Sequence, residues 1–228
     1  MGRREQFAAR LRELPAATWP DFLREHGGLP GPRANLELAQ AVADTAEPAQ
    51  IDAFIAGGDE YLVLCGVVSL GPLLVSSAPD VPARLRRHAA DGRWRVREGV
   101  AMALQRLGDV DPPRLFELAD DWAGDPHPLV QRAAVAGLCE PRLLKAPGAA
   151  ARAVAVCRAV TDSLAARPAA TRADEDVRTL RKALGYCWSV AVAADRPAGL
   201  PVFERYAASA DRDIAWIVTE NRKKARMR

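Results

Sequence analysis

The stretch DGRWRVREGVAMALQRL (Asp91–Leu107) is followed by DPHPLVQRAAVAGL (Asp125–Leu138), and the two follow one pattern. Each opens on an Asp, sets a Val five residues later and continues with apolar or small residues at helical spacing. Their starts lie 34 residues apart. From Asp91 the apolar positions are Val96, Val100, Ala103, Leu104 and Leu107, one stripe of an α-helix. The same offsets from Asp125 give Val130, Ala134, Gly137 and Leu138, and from Glu175 they give Leu180, Leu184, Cys187 and Trp188. A looser copy begins near Asp59, and a last one at Asp211 puts Trp216 where the Val stands. Successive starts are 32, 34, 50 and 36 residues apart. Recurrence at this period constrains the chain to a repeat architecture, because one helix pair cannot bury its apolar face alone.

A short amphipathic segment precedes most copies: Pro48–Ile55, Val81–Ala89, Pro113–Trp122 and Leu200–Ala207. The unit therefore reads as helix A, a tight turn ending in an acid, then helix B. An Asp at that turn is a good N-cap for helix B. Turn signals punctuate the chain at GGLPGP, AGGD, SSAPD, DGR, GDVDPP, AGDPHP, KAPG and DRPAG, while Ala, Leu, Arg and Glu fill the intervals. Alternating β-branched and polar runs are nearly absent, so the expected class is all-α. In YLVLCGVVSLGPLLV (Tyr61–Val75) the two Gly and the Pro read as a buried helix and its exit. Residues 141–174 read as an insertion containing one Ala-rich spacer helix. Residues 1–47 read as an irregular helical cap, continuous with a repeat domain over 48–228.

The chain has 228 residues, 49% of them hydrophobic, enough for a sizeable core. No apolar run reaches the roughly 18 to 20 residues of a membrane span. The N-terminus lacks the apolar centre of a secretory signal, so a cytoplasmic protein without membrane contact is expected. Cys65, Cys139, Cys157 and Cys187 are far apart in sequence and read as small buried hydrophobes. The three His are scattered, with no metal-ligand spacing, so neither a metal nor a small-molecule cofactor is expected. A net charge of +3 does not announce a nucleic-acid binder. The basic tail NRKKARMR (Asn221–Arg228) reads as a solvated, partly frayed helix end.

Asp91, Val96 and Arg97 resemble the Asp, Val and Arg positions of the HEAT repeat. Glu175, Leu180 and Arg181 are a conservative match, and Asp125 and Val130 match with Gln131 where Arg is usual. The resemblance implies a right-handed α-solenoid of about five helix pairs, with an Asp-to-Arg ladder between neighbouring repeats. It also implies a role in binding other macromolecules.

Seven residues after each turn acid stand Glu98, Arg132 and Lys182, opposite the apolar stripe. In a stacked solenoid they would form a row on the concave face. A pairing of Glu98 with Arg132 would make that row structural. The row is also similar to that of AlkD-type alkylpurine DNA glycosylases, which set a catalytic Asp four residues after a Trp, then an Arg in an R-A-A context and a further aromatic. Here Trp94 and Glu98 stand at that spacing, Arg132 lies in QRAAV, and Lys182 to Tyr186 reads KALGY. Glu replaces Asp and Tyr replaces Trp, both at positions that would do the chemistry. Trp19, Trp122, Trp188 and Trp216 fall on apolar stripes and read as core, whereas Trp94 precedes its stripe and reads as exposed. No phosphate loop, nucleophile motif or metal cluster points to another enzyme class. The expected function is a nonenzymatic scaffold whose concave face binds a protein or nucleic-acid partner through Trp94, Glu98, Arg132, Lys182 and Tyr186. The alternative is a DNA-binding protein or glycosylase using Glu98 and Arg132 on alkylated DNA.

Overall fold

The computed structural model describes residues 2–75 and 79–228. The described residues form thirteen α-helices and no strand. They group into two compact units, residues 2–107 and 108–228. Most of the SSAPD turn lies outside the described residues.

Unit 1 holds α1 (Arg3–Glu13), α2 (Trp19–His26), α3 (Leu36–Ala43), α4 (Pro48–Ala56), α5 (Glu60–Val75), α6 (Val81–Ala89) and most of α7 (Trp94–Val110). Its centre is α5, which is buried on nearly every side from Tyr61 to Gly71. A helix apolar all round must be covered all round. Helices α2, α3, α4 and α6 pack on it, and α7 reaches it at Leu64, Val67 and Gly71.

Helix α5 does not exit at Gly71 and Pro72, as the sequence suggests, but runs on to Val75 with Pro72 inside it. Its glycines serve packing rather than termination. A Cβ on Gly66 would lie 2.7 Å from Ile55 and 3.1 Å from the Ile51 carbonyl of α4; one on Gly71 would lie 2.6 Å from the Ala103 carbonyl of α7. At Gly71 backbone approaches backbone, so no flexible side-chain end can turn aside to make room.

The N-terminal helices are tied down by charge. Asp44, at the end of α3, receives Arg4 of α1 and Arg106 of α7, each at 2.6 Å. Burial alone would raise the pKa of Asp44, but the hydrogen bonds and charges of the two arginines outweigh it and hold it below 3.8.

Unit 2 holds α8 (Pro112–Ala123), α9 (Pro128–Leu138), α10 (Ala149–Ala166), α11 (Glu175–Ala194), α12 (Arg196–Glu204) and α13 (Arg212–Arg222). The Ala-rich stretch expected as a spacer is α10, and it packs as an integral helix against α8, α9, α11 and α12. Alternate helices touch: α8 meets α10 and α10 meets α12, while α9 meets α11 and α11 meets α13. Helix α12 starts at Arg196 and stops at Glu204, so Tyr206 lies in the turn beyond it rather than on a helix. Asp195 caps it by accepting from the Ala198 N–H, which fixes the earlier start.

The apolar stripes follow the sequence register. Val96, Val100, Leu104 and Leu107 are fully buried, as are Val130, Ala134 and Leu138, and Leu180, Leu184 and Trp188. Trp19 and Trp122 are core residues too. Trp216 is not: Ile214, Ile217 and Val218 take the interior of α13, and Trp216 is half-buried under the Arg181 guanidinium.

The turn acids act in more than one way. Asp59 accepts from the Tyr61 and Leu62 N–H groups, and Asp211 accepts from those of Asp213 and Ile214, as N-caps should. Asp91 and Asp125 instead accept from the N–H two residues on, closing Asx turns before their helices begin. The N-cap of α9 is His127, whose Nδ1 accepts from the Leu129 N–H. Glu175 is already inside α11.

Several of the polar contacts between helices share one separation. Asp52 of α4 pairs with Arg84 of α6 at 2.5 Å, Asp120 of α8 with Arg152 of α10 at 2.6 Å, and Arg181 of α11 with Asp213 of α13 at 2.6 Å. Each joins residues 32 apart. Gln131 is buried; it donates to Ser163 of α10, again 32 residues on, and accepts from Arg167. Arg97 donates to the carbonyls of Asp91 and Gly92 in its own turn, and the Asp91 carboxylate is held by Arg93.

Two consequences are measurable. Gly71→Ala should cost about 1–3 kcal/mol, because the added methyl meets backbone that is itself packed. Urea denaturation reads this directly, and an unchanged midpoint would mean that α5 and α7 are not in close contact. Asp44→Asn should lower stability at neutral pH. A carboxylate with a depressed folded-state pKa stabilises above its unfolded value, and that contribution is lost as pH falls through the folded one. The gap between wild type and variant should therefore narrow as pH drops below 3.8. A gap independent of pH would remove the charge-based account.

Candidate partner-binding surfaces

The residues singled out in the sequence fall in different environments. In unit 1, Trp94 opens α7 and is 47% exposed, as its place ahead of the apolar stripe predicts. The Arg95 guanidinium lies 5.7 Å from its ring centroid. Glu98, one turn on, is partly buried and takes its ion pair from Arg95 at 2.8 Å. Arg95 also donates to the Pro32 carbonyl, so a loop of the first forty residues braces this helix end. The carboxylate is thus already neutralised by its neighbour.

In unit 2, Arg132 is 8% exposed. It lies within α9 among Val130, Ala133, Ala134 and Val135, and is not the surface residue its helical position suggested. Lys182 and Tyr186 are exposed one turn apart on α11, Tyr186 at 45%. Their surroundings differ from the expectation because the basic tail does not fray into solvent.

Asn221 is fully buried at the end of α13. Its amide donates to the Leu184 and Ile217 carbonyls, and its oxygen accepts from the Ser189 N–H. Every hydrogen-bonding group of a buried amide needs such a partner. Beyond it the chain folds back along α11, with Met227 buried and its carbonyl accepting from Arg196. That course puts Arg226 and Lys224 over the Tyr186 ring, at 5.0 and 5.9 Å, and Arg226 donates to the Tyr186 hydroxyl. Lys182, Tyr186, Lys224 and Arg226 form one basic, aromatic surface that sequence distance hides.

Three of the four cysteines, far apart in sequence, meet in unit 2. All four are free and buried. Cys139 and Cys157 have sulfurs 3.7 Å apart, and Cys187 also shares a hydrogen bond with Cys139. The thiol pKa of Cys139 is raised by its contact with Cys157 and by burial, and that of Cys187 by Cys139 and by burial. Neutral thiols in a dry contact are packing groups rather than nucleophiles. Among the described residues no group of three or more His, Cys, Asp or Glu is placed to hold a metal ion. Among them no helix is long and apolar enough to cross a membrane.

No protein-family model, no curated protein and no solved structure matches the chain. Its own residues must carry any functional reading.

Cation–π contacts at exposed sites are worth about 0.5–1 kcal/mol. Tyr186→Ala should therefore cost about that much stability while freeing the tail. Backbone amides of residues 224–227 should then exchange faster with solvent, read by hydrogen exchange. Unchanged protection would show that Asn221 and Met227 alone hold the tail.

Proposed function

We propose that this chain is a right-handed HEAT-type α-solenoid acting as a nonenzymatic scaffold for a protein partner. The observation that carries the reading is the recurrence of inter-helix polar contacts at 32 residues, from Asp52–Arg84 through Arg181–Asp213. The alternating contacts of α8, α10 and α12 and of α9, α11 and α13 support it, since each layer of a solenoid touches its own kind. The Arg181–Asp213 pair is what a ladder between neighbouring repeats would supply.

Within each unit one aromatic-led surface suits partner binding. Trp94 is the exposed anchor of unit 1, and Tyr186 with its cations is that of unit 2. Exposed aromatics beside arginine are the side chains that most often dominate binding energy. Glu98 and Arg132 suit a structural role better than a chemical one. A glycosylase carboxylate must sit free beside the deoxyribose to stabilise the cation that develops there as the base departs, whereas Glu98 is engaged by Arg95.

The test has two arms. Methylated duplex DNA should yield no free 3-methyladenine or 7-methylguanine with the wild type. Release that Glu98→Gln abolishes would replace the scaffold with an AlkD-like glycosylase. The full chain, immobilised, should retain a discrete protein that Trp94→Ala loses at an unchanged melting temperature, and that Tyr186→Ala loses while the chain stays folded. Retention of DNA instead, weakening steeply with salt, would make the partner a nucleic acid.

A further inference from the structure

In unit 2 the 3-10 turn Ala169–Ala173, the first turns of α11 and those of α13 border an open cleft of about 520 Å3. Its wall carries Arg172, Arg178, Arg181 and Arg212, together with Asp213 and Trp216. The four guanidiniums do different work. Arg172 donates to the Ala165 and Arg167 carbonyls at the end of α10 and pairs with Asp211, so it holds the fold. Arg181 pairs with Asp213 at 2.6 Å and lies 4.7 Å from the centroid of the Trp216 ring. Its Nε is buried with no acceptor among the described residues.

Arg178 and Arg212 are exposed, one on α11 and the other on α13, and their guanidiniums make no ion pair or hydrogen bond among the described residues. Two cations unneutralised on one cleft wall repel each other, an arrangement that an anionic ligand relieves. With Asp211 and Asp213 set against the four arginines, the cleft keeps a surplus of two positive charges. Guanidinium forks match the oxygens of a phosphate in pairs, which a lysine cannot do. A phosphomonoester carries about −1.5 to −2 charges at neutral pH, the complement of that surplus.

We propose that this cleft binds a phosphorylated side chain of a partner protein, with Arg178 and Arg212 holding the phosphate oxygens and Arg181 and Trp216 forming the wall. As a statement about the partner it rests on the scaffold reading; the phosphate site itself stands on the cleft alone. A nucleic-acid strand fits less well. Asp174, Glu175 and Asp176 follow the 3-10 turn directly at the start of α11. Further phosphates running past the cleft would meet that acidic edge, whereas a single phosphate does not.

The test uses the full chain, with the Trp216 indole N–H resonance assigned through Trp216→Phe. N-acetyl-phosphoserine amide should shift that resonance saturably, with a dissociation constant on the order of 1 mM. Its unphosphorylated counterpart should not. The double variant Arg178→Ala/Arg212→Ala should weaken binding at least tenfold with an unchanged melting temperature, because both side chains are exposed. Absence of any shift at about 10 mM ligand, or equal binding by the double variant, would overturn the site. Tighter response to a single-stranded oligonucleotide than to phosphoserine would overturn the partner class. Inorganic phosphate binding as well as the phosphoserine amide would overturn the side-chain assignment. A silent cleft in a chain that still captures a protein through Tyr186 would leave the scaffold reading standing without this site.

Discussion

Helix α5 has almost no face that can meet water, and the rest of unit 1 is arranged around that fact. Four helices pack on it and a fifth reaches it at Gly71, where two backbones come within contact of each other. The apolar area involved is the main favourable term available to such a fold. The glycines matter because they set how closely that area can be covered. In unit 2 the same role falls to α11, whose second half is buried from Cys187 to Val192.

Ionic contacts add direction to this packing more than strength. Asp120–Arg152 is a solvent-accessible pair and Asp52–Arg84 is open to solvent on its Asp side, and such exposed pairs are worth about 0–1 kcal/mol each. Asp44 differs because it serves two arginines from two helices at once. Arg172 does the converse, binding the end of α10 and the start of α13 with one guanidinium. These junctions fix which helix turn meets which, something the apolar stripes alone leave open.

The core stripes were legible because they follow from spacing. Val96, Val130 and Leu180 occupy the interior that their offset predicts. What the sequence hid has a common cause: it depends on neighbours distant along the chain. Gly71 and Pro72 look like an exit until Ala103 lies against them. Trp216 looks like core until Ile214 and Ile217 fill the interior and Arg181 covers the ring. Arg132 looks exposed from its place on the wheel, yet α9 is buried on more than one side. The tail looks frayed until Asn221 is found satisfied at all its polar groups. Of the candidate site, Trp94, Lys182 and Tyr186 were legible as surface, while Lys224 and Arg226 beside Tyr186 were not. The arginine cleft was invisible because its residues lie on three elements separated by up to 47 positions, from Ala169 to Trp216.

The bridges Asp52–Arg84, Asp120–Arg152 and Arg181–Asp213 all span the same length of chain. The entropy lost in closing a loop depends on its length, and only logarithmically. Each such contact therefore opposes assembly by nearly the same amount, wherever along the chain it forms. None of these three contacts requires the two ends of the chain to meet first. The rate at which each forms should then be governed by that local step rather than by total length.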